Sequence, residues 1–211
     1  MSTYNHIAGQ RSGRVEALSD GVFSIAMTLL VFNLKVPAEG LVVTDVALWD
    51  ALRQIVPDLL AFLLSFMTLG IFWIGHSTQF VFIQRTDRNL TWISVFFLMF
   101  ITLLPFTTRI LSSHITNRIS IGLYWVNIAS LGFLLWLHWV YANKRHLVQT
   151  DDANVQSAGK LIMRRIYTAQ ALYAMGAMLS LVNTWLSLLV IIGIQLNYAL
   201  GLINFRRYAV Q

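Results

Sequence analysis

The sequence predicts an all-α, polytopic membrane protein with six transmembrane helices. Of its 211 residues, 57% are hydrophobic and 11% are charged, and the mean hydropathy is +0.65. Its uncharged runs approach or exceed the length of about 20 residues that a helix needs to cross ~30 Å of hydrocarbon. The charged residues are concentrated between these runs. This composition excludes an ordinary soluble globular domain.

Six apolar segments form a single predicted transmembrane domain over residues 1–211. The second segment has no charged residue between Leu59 and Gln84. Residues 166–205 also lack charge, and because forty residues are too many for one crossing, we divide them near Asn183. The predicted spans are 15–36, 58–84, 89–112, 120–142, 165–183 and 185–206.

Two segments between the spans have a different character. Residues 45–56 place Val46, Trp49 and Leu52 on one apolar face, with charged side chains elsewhere. This pattern predicts an interfacial helix on the outer side of the membrane. Residues 143–165 carry the largest group of charges and are predicted to form a solvated loop.

The basic residues predict the orientation of the chain. An even number of spans places both termini on one side, which collects eleven basic residues, whereas the other side collects four. Because basic residues accumulate in cytoplasmic loops, both termini are predicted to be cytoplasmic, in a multi-pass protein of the cell (inner) membrane. The net charge of +6 follows from this bias and does not require nucleic acid as a partner.

The sequence carries none of the common signatures of an enzyme. It has no cysteine, its five histidines are scattered, and it has no HExxH spacing, phosphate-binding loop, dinucleotide fingerprint or nucleophile elbow. We therefore expect no catalytic residue, no resident metal and no cofactor.

An acidic side chain lies within the first predicted span. The uncharged stretch from Gly21 to Leu34 has only 14 residues, so a helix that crosses the bilayer extends back through Asp20. A carboxylate at that depth is costly unless it faces water or a polar partner. Asp20 is therefore a candidate functional residue.

Two stripes with helical spacing run along this first span. Such stripes are typical of a well-packed bundle helix, in which small side chains let neighbouring helices approach closely. Alternatively, several copies around an axis would turn Ile25, Leu29 and Phe32 into rings that narrow a water path, with the Thr28 hydroxyl beside them. The apolar stripe is Leu18, Val22, Ile25, Leu29 and Phe32, and the small one is Ala17, Gly21, Ser24 and Thr28.

His76 is the candidate partner of Asp20. Asp20 lies six residues after Arg14, roughly 9 Å along the helix, and His76 lies eight residues before Gln84, roughly 12 Å from the same membrane face. A histidine that donates to a buried carboxylate lowers the cost of burying it. A histidine that only packs in the core is the other interpretation. Further candidate donors are Ser19, Trp73, Ser77 and Asn89.

Several motifs resemble a known family, the transmembrane protein 175 potassium channels, in its bacterial branch. Arg14, Leu18, Ser19 and Asp20 are similar to the signature RxxxFSD, with Leu18 where the signature usually has Phe. The six-span length, FWxxH at 72–76 and LPF at 104–106 also resemble this family, so the resemblance covers most of the chain. These channels lack a TVGYG filter, and so does this sequence.

The resemblance implies a homotetramer of six-span subunits in the lipid bilayer, assembled around a central pore that the first helix lines and K+ permeates. Matched from the signature Asp, the apolar constriction would be Ile25, Leu29 and Phe32. Thr28 would be the hydroxyl implicated in cation preference. A smaller aliphatic residue is usual near the layer of Phe32, so gating or conductance is expected to differ.

The resemblance also implies a structural network rather than a set of ion ligands. Arg14, Ser19 and Asp20 would join His76, with Trp73 as a further donor, and hold the pore helix against its neighbours. A hydrophobic ring excludes ions by dewetting, which separates K+ from Na+ poorly. We therefore expect a leak-type channel with modest potassium selectivity.

Two other classes of protein remain open at this point. A proton-coupled secondary transporter would use Asp20 and His76 as a proton relay, although the sequence shows neither a convincing inverted repeat nor paired helix interruptions. A structural or assembly membrane protein would show no flux in liposomes.

Overall fold

The computed structural model describes residues 12–35, 44–148 and 153–200, with side chains from 156 to 198 in the last range. Within them the chain is helical apart from loops and one isolated bridge between Ile83 and Val148. The all-α class is therefore confirmed. The helices are α1 (Ser12–Leu29), α2 (Asp45–Gln54), α3 (Val56–Phe82), α4 (Arg88–Ser113), α5 (Arg118–Lys144), α6 (Ala153–Met178) and α7 (Thr184–Leu200).

Four helical stretches in the described part of the chain are long and apolar enough to cross a membrane. They are Ser12–Asn33, which adds a 3-10 turn to α1, and helices α3, α4 and α5. A shorter apolar helix covers Thr184–Tyr198. The remaining predicted span lies in α6, whose first half is polar. A total of six spans stays a prediction, and the predicted span ends at 36 and 206 lie outside the described residues.

Helix α6 begins earlier than the sequence analysis expected. It starts at Ala153, so the predicted solvated loop over 143–165 is wrong from that residue onward. Charge suggested a loop, but Ile162 and Ile166 recur at helical spacing and pack against the core. Lys160 and Arg164 project from exposed positions of the same helix. A helix with one apolar face tolerates such charges on its opposite face.

Side-chain caps start two of the long helices. Asp87 accepts a 2.8 Å hydrogen bond from the amide of Leu90, and Asn117 accepts one of 2.9 Å from the amide of Ile119. Such caps satisfy amides that have no partner within the helix. They mark where α4 and α5 begin.

Helix α4 contacts α1, α3 and α5. Phe97 and Ile101 on α4 are fully buried. The Phe97 ring lies 6.0 Å from the ring of Phe23 on α1 and 6.2 Å from that of Phe72 on α3. Aromatic packing of this kind positions α1 and α3 side by side on α4.

A buried polar cluster ties α7 to the rest of the bundle. Thr68 on α3 accepts a 2.6 Å hydrogen bond from Gln195 on α7 and lies 3.1 Å from the hydroxyl of Tyr124 on α5. Thr108 on α4 donates a 2.6 Å hydrogen bond to Ser65. Because polar groups in an apolar interior need partners, this cluster fixes how four helices meet.

Candidate functional site

The face of α1 that packs against its own chain is neither of the two predicted stripes. Val15, Ser19, Phe23, Ala26 and Leu30 are buried and lie against α3 and α4. The hydroxyl of Ser19 donates a 2.8 Å hydrogen bond to the carbonyl of Val15. These residues recur every three or four positions, as the members of the two predicted stripes do. The packed face was therefore visible in the sequence as a third stripe, but the sequence analysis did not identify it.

Except for Val22, which packs against the core, both predicted stripes lie on the side of α1 that the described chain leaves uncovered. The exposed fraction is 60% for Ile25, 44% for Leu29 and 75% for Phe32. Thr28 is exposed as well, and a Cβ built on Gly21 would meet no atom within 4 Å. The small side chains therefore do not mediate contacts within this chain.

The end of α1 changes helix type. Residues Leu30–Asn33 form a 3-10 turn, so Phe32 is not in the continuous α-helix that the sequence analysis assumed. Because a 3-10 helix has 3.0 residues per turn rather than 3.6, Phe32 is rotated relative to Ile25. The buried Asn33 donates a 3.2 Å hydrogen bond to the carbonyl of Pro105 on α4 and anchors this end.

The hydroxyl of Thr28 lies on the uncovered side of α1. It donates a 2.9 Å hydrogen bond to the carbonyl of Ile25, one turn earlier. A hydroxyl oxygen that donates its proton in this way keeps its lone pairs as acceptors. Thr28 can therefore present an oxygen to a cation or to water.

Asp20 has a polar partner on a neighbouring helix. The indole nitrogen of Trp73 on α3 donates a 2.8 Å hydrogen bond to Oδ1 of Asp20. Both side chains are exposed in the described chain. The carboxylate is therefore held to α3 while it remains open to the uncovered side.

His76 does not join this pair. Its ring is 2% exposed and stacks on Phe97 with 4.7 Å between ring centroids, so it points into the bundle while Asp20 lies outside. Among the residues that the structure describes, no hydrogen bond connects His76 or Arg14 with Asp20. The expected hydrogen bond from the imidazole of His76 to the carboxylate of Asp20 is therefore not formed in this chain, because core packing turns the imidazole inward.

A second buried histidine was missed by sequence reasoning. His138 on α5 lies 5.2 Å from His76 between ring centroids, and its Nδ1 is 2.7 Å from Oε1 of Gln79. Gln79 in turn donates a 2.9 Å hydrogen bond to the carbonyl of Leu135. The signal was an ionisable side chain within an apolar span, which is unusual in a membrane.

The interior pair of imidazoles is incompletely hydrogen-bonded. Nε2 of His76 and Nε2 of His138 are buried and have no hydrogen-bond partner among the residues that the structure describes. In the ranges 12–35, 44–148 and 153–200, no three His, Asp or Glu side chains are grouped so that they could hold a metal ion. The arrangement thus offers an exposed helix face with one tethered carboxylate, and a separate polar interior.

Comparison with known proteins identifies relatives of this chain. The sequence model described as "Endosomal/lysosomal potassium channel TMEM175" matches residues 14–105. A potassium channel of Chamaesiphon minutus is 34% identical over 195 residues, which cover 90% of this chain and 94% of that protein. An endosomal/lysosomal proton channel TMEM175 of Danio rerio is 35% identical over 108 residues, or 49% of this chain and 21% of that protein.

The fold has a solved counterpart. The crystal structure of a lysosomal potassium-selective channel TMEM175 homolog from Chamaesiphon minutus superimposes with a TM-score of 0.78 and 30% identity, covering 90% of this chain and 97% of that one. These relatives are channels rather than enzymes. Together with the apolar helices, they show that the chain is a membrane protein, and it belongs to the TMEM175 family of potassium channels.

Proposed function

We propose that this chain forms a homotetrameric, potassium-selective, leak-type channel whose pore is lined by α1. The observation that carries the proposal is the uncovered side of α1, which is long, uncharged beyond Asp20 and composed of apolar and small residues. A membrane helix with such a face needs neighbouring copies, lipid or water against it. The potassium channels among the relatives favour a pore.

The narrowest part of this pore would consist of Ile25, Leu29 and Phe32. Each of these side chains is exposed in the single chain, so four copies around an axis would bring them together as apolar rings. Rings of this kind gate ions by dewetting. Thr28, one turn along the same side, would supply hydroxyl oxygens to a cation that has lost part of its hydration shell.

In this proposal the carboxylate of Asp20 supports the pore helix rather than binding ions. Its hydrogen bond with Trp73 ties α1 to α3 near one end of the span. Ser19 is buried on the packed face of α1, His76 stacks on Phe97 of α4, and Arg14 lies at the start of α1, so these residues would support the position of the pore helix. Selectivity would therefore arise at the rings and at Thr28, and would be modest.

The proposed topology has six spans with both termini in the cytoplasm of a bacterial cell, in its inner membrane. Helices α1, α3, α4, α5, α6 and α7 would each supply one crossing. Helix α2 has no buried residue, and Trp49 is 60% exposed. These features support its location at the interface on the outer side of this membrane, where Trp is common.

Recordings from the purified protein in planar bilayers, with KCl on one side and NaCl on the other, test the proposal. We expect a reversal potential displaced toward the equilibrium potential of K+. A reversal potential that does not move when the two cations are exchanged would contradict it.

The variant Ile25→Asn tests the position of the constriction. We expect larger conductance or weaker selectivity, because an amide side chain wets the ring. The matched control is Ile119→Asn, which makes the same change at an exposed position at the start of α5. Currents that are unchanged by Ile25→Asn would remove Ile25 from the pore.

Proton transport is the second candidate function. The animal relatives named as proton channels and the intramembrane Asp20, His76 and His138 favour it. A proton-coupled transporter with an Asp20–His76 relay is a weaker alternative, because the ring of His76 faces inward. Single-channel current steps would exclude that transporter, whereas saturable proton-coupled uptake in liposomes would support it.

A further inference from the structure

A cavity of about 270 Å³ lies between α3, α5 and α6, with α7 at one end. Most of its walls are apolar and come from residues such as Ile71, Phe82 and Leu161. It does not involve the uncovered side of α1. The cavity therefore belongs to neither the proposed pore nor the pair of interior histidines.

The dimensions of the cavity suit an alkyl chain better than water. An apolar cavity of ~150 Å³ in another protein stays dry and binds benzene, and this one is larger. Ile71 and Phe82 both line it and are eleven residues apart on α3, so it extends roughly 16 Å along that helix. An elongated apolar space of this length matches a hydrocarbon tail.

The cavity opens toward the outside of the chain. Leu161, which lines it, is 49% exposed, and Arg165 beside it is exposed as well. In the proposed topology this opening would face lipid. An empty space beside lipid tails would lose dispersion contacts on both sides, so a tail that enters it gains packing.

A cationic group stands at the mouth of the cavity. Among the described residues that line it, Arg165 alone is charged, and its guanidinium lies 5.5 Å from the ring centroid of Tyr198 on α7. Stacking on Tyr198 restricts the guanidinium to this place. Arginine binds phosphate oxygens through paired N–H donors.

In the six-span topology proposed above, on which this step rests, three elements place this mouth at one membrane interface. Phe82 is the last residue of α3, Tyr198 lies near the end of α7, and Arg165 separates the polar from the apolar half of α6. Basic pockets between transmembrane helices at such an interface bind anionic lipid head groups.

We propose that this cavity is a binding site for an anionic phospholipid. One acyl chain occupies the apolar space between α3, α5 and α6, and the head-group phosphate contacts Arg165. The inference does not depend on which ion the protein conducts. It adds a lipid ligand, held within each subunit, to the proposed channel.

Native mass spectrometry of the full chain tests this site. The protein is released from detergent micelles that contain equal amounts of phosphatidylglycerol and phosphatidylcholine with the same acyl chains. We expect one phosphatidylglycerol to be retained per chain, in preference to phosphatidylcholine. Arg165→Gln should lower this retention about fivefold, which is the attraction that one basic residue adds near an anionic lipid surface.

Two further variants separate charge from shape. Arg164→Gln removes an equal charge from the next residue, which lines a different depression on α6, and should leave retention unchanged. Ala169→Phe fills the cavity and should abolish retention of the lipid. Thermal unfolding and size-exclusion chromatography show whether each variant is folded.

Several results would overturn the proposal. Equal losses with Arg165→Gln and Arg164→Gln would show only general attraction to anionic lipid. Equal retention of the two lipids, both of which carry a phosphate, would exclude selection for a head group with net negative charge. Retained phosphatidylglycerol in folded Ala169→Phe would exclude the acyl chain from the cavity. A change in oligomeric mass without a change in lipid would show that a second copy of the chain covers this surface.

Discussion

The indole nitrogen of Trp73 on α3 and the carboxylate of Asp20 on α1 form a 2.8 Å hydrogen bond across two neighbouring helices. At the other end of the first span, Asn33 donates to the carbonyl of Pro105 on α4. The two contacts are thirteen residues apart in α1 and its 3-10 extension. They hold both ends of this segment on the bundle and leave its opposite side uncovered.

Removal of the indole donor should loosen the first helix. We expect Trp73→Phe to lower the free energy of unfolding by about 1 kcal/mol, because the carboxylate loses a donor but remains accessible. Thermal unfolding in detergent measures the change. Trp92→Phe, at a comparably exposed indole on α4, is the control, and equal losses in the two variants would assign the effect to general packing.

Thr68, which is buried on α3, should contribute more to the free energy of unfolding than an exposed threonine does. Thr68→Val leaves the amide of Gln195 without its acceptor, and hydrogen bonds between membrane helices contribute up to ~1.7 kcal/mol. Chemical unfolding in detergent should show a loss of this order. Thr102→Val is the matched control, since the exposed Thr102, within the described part of the chain, bonds only to the carbonyl of Met99. A similar loss in both variants would contradict the role of the cluster.

The hydrogen-bonded residues Gln79 and His138 should make coupled contributions to the free energy of unfolding. Gln79→Leu leaves Nδ1 of His138 buried without an acceptor, which costs about 1–3 kcal/mol. Adding His138→Phe should recover part of this loss, because replacing both partners with apolar groups removes the unpaired atom. A double-mutant cycle measures the coupling, and strictly additive losses would argue against the pair.

The side chain of Phe32 should limit ion flow if it forms one of the rings. Phe32→Ala removes an aromatic ring that is 75% exposed in the 3-10 turn after α1, so single-channel conductance should rise several-fold. Val31→Ala is the control, because Val31 is also exposed but is turned away from Ile25 around the helix. An unchanged conductance in Phe32→Ala would place the narrowest point elsewhere.

The helical class and the membrane location were predictable because both depend on local properties of the chain. Long uncharged runs identify apolar helices regardless of what they contact. The beginning of α6 was not predictable in the same way, since the charges of Lys160 and Arg164 concealed the apolar spacing of Ile162 and Ile166. Burial of that face by the bundle decides in favour of a helix.

Spacing along α1 alone specifies which side chains share a face, and it groups Ile25 with Leu29, both of which are exposed in the structure. Which face meets α3 and α4 depends on the shapes of those helices, so the buried row of Ser19 and Phe23 emerged only in three dimensions. Likewise, Trp73 reaches Asp20 because its indole lies toward the outside of α3, whereas His76 is held inside by Phe97. Contacts between residues that are distant in sequence, such as Thr68 with Gln195, depend on how the helices pack against one another. Helical periodicity does not specify that packing.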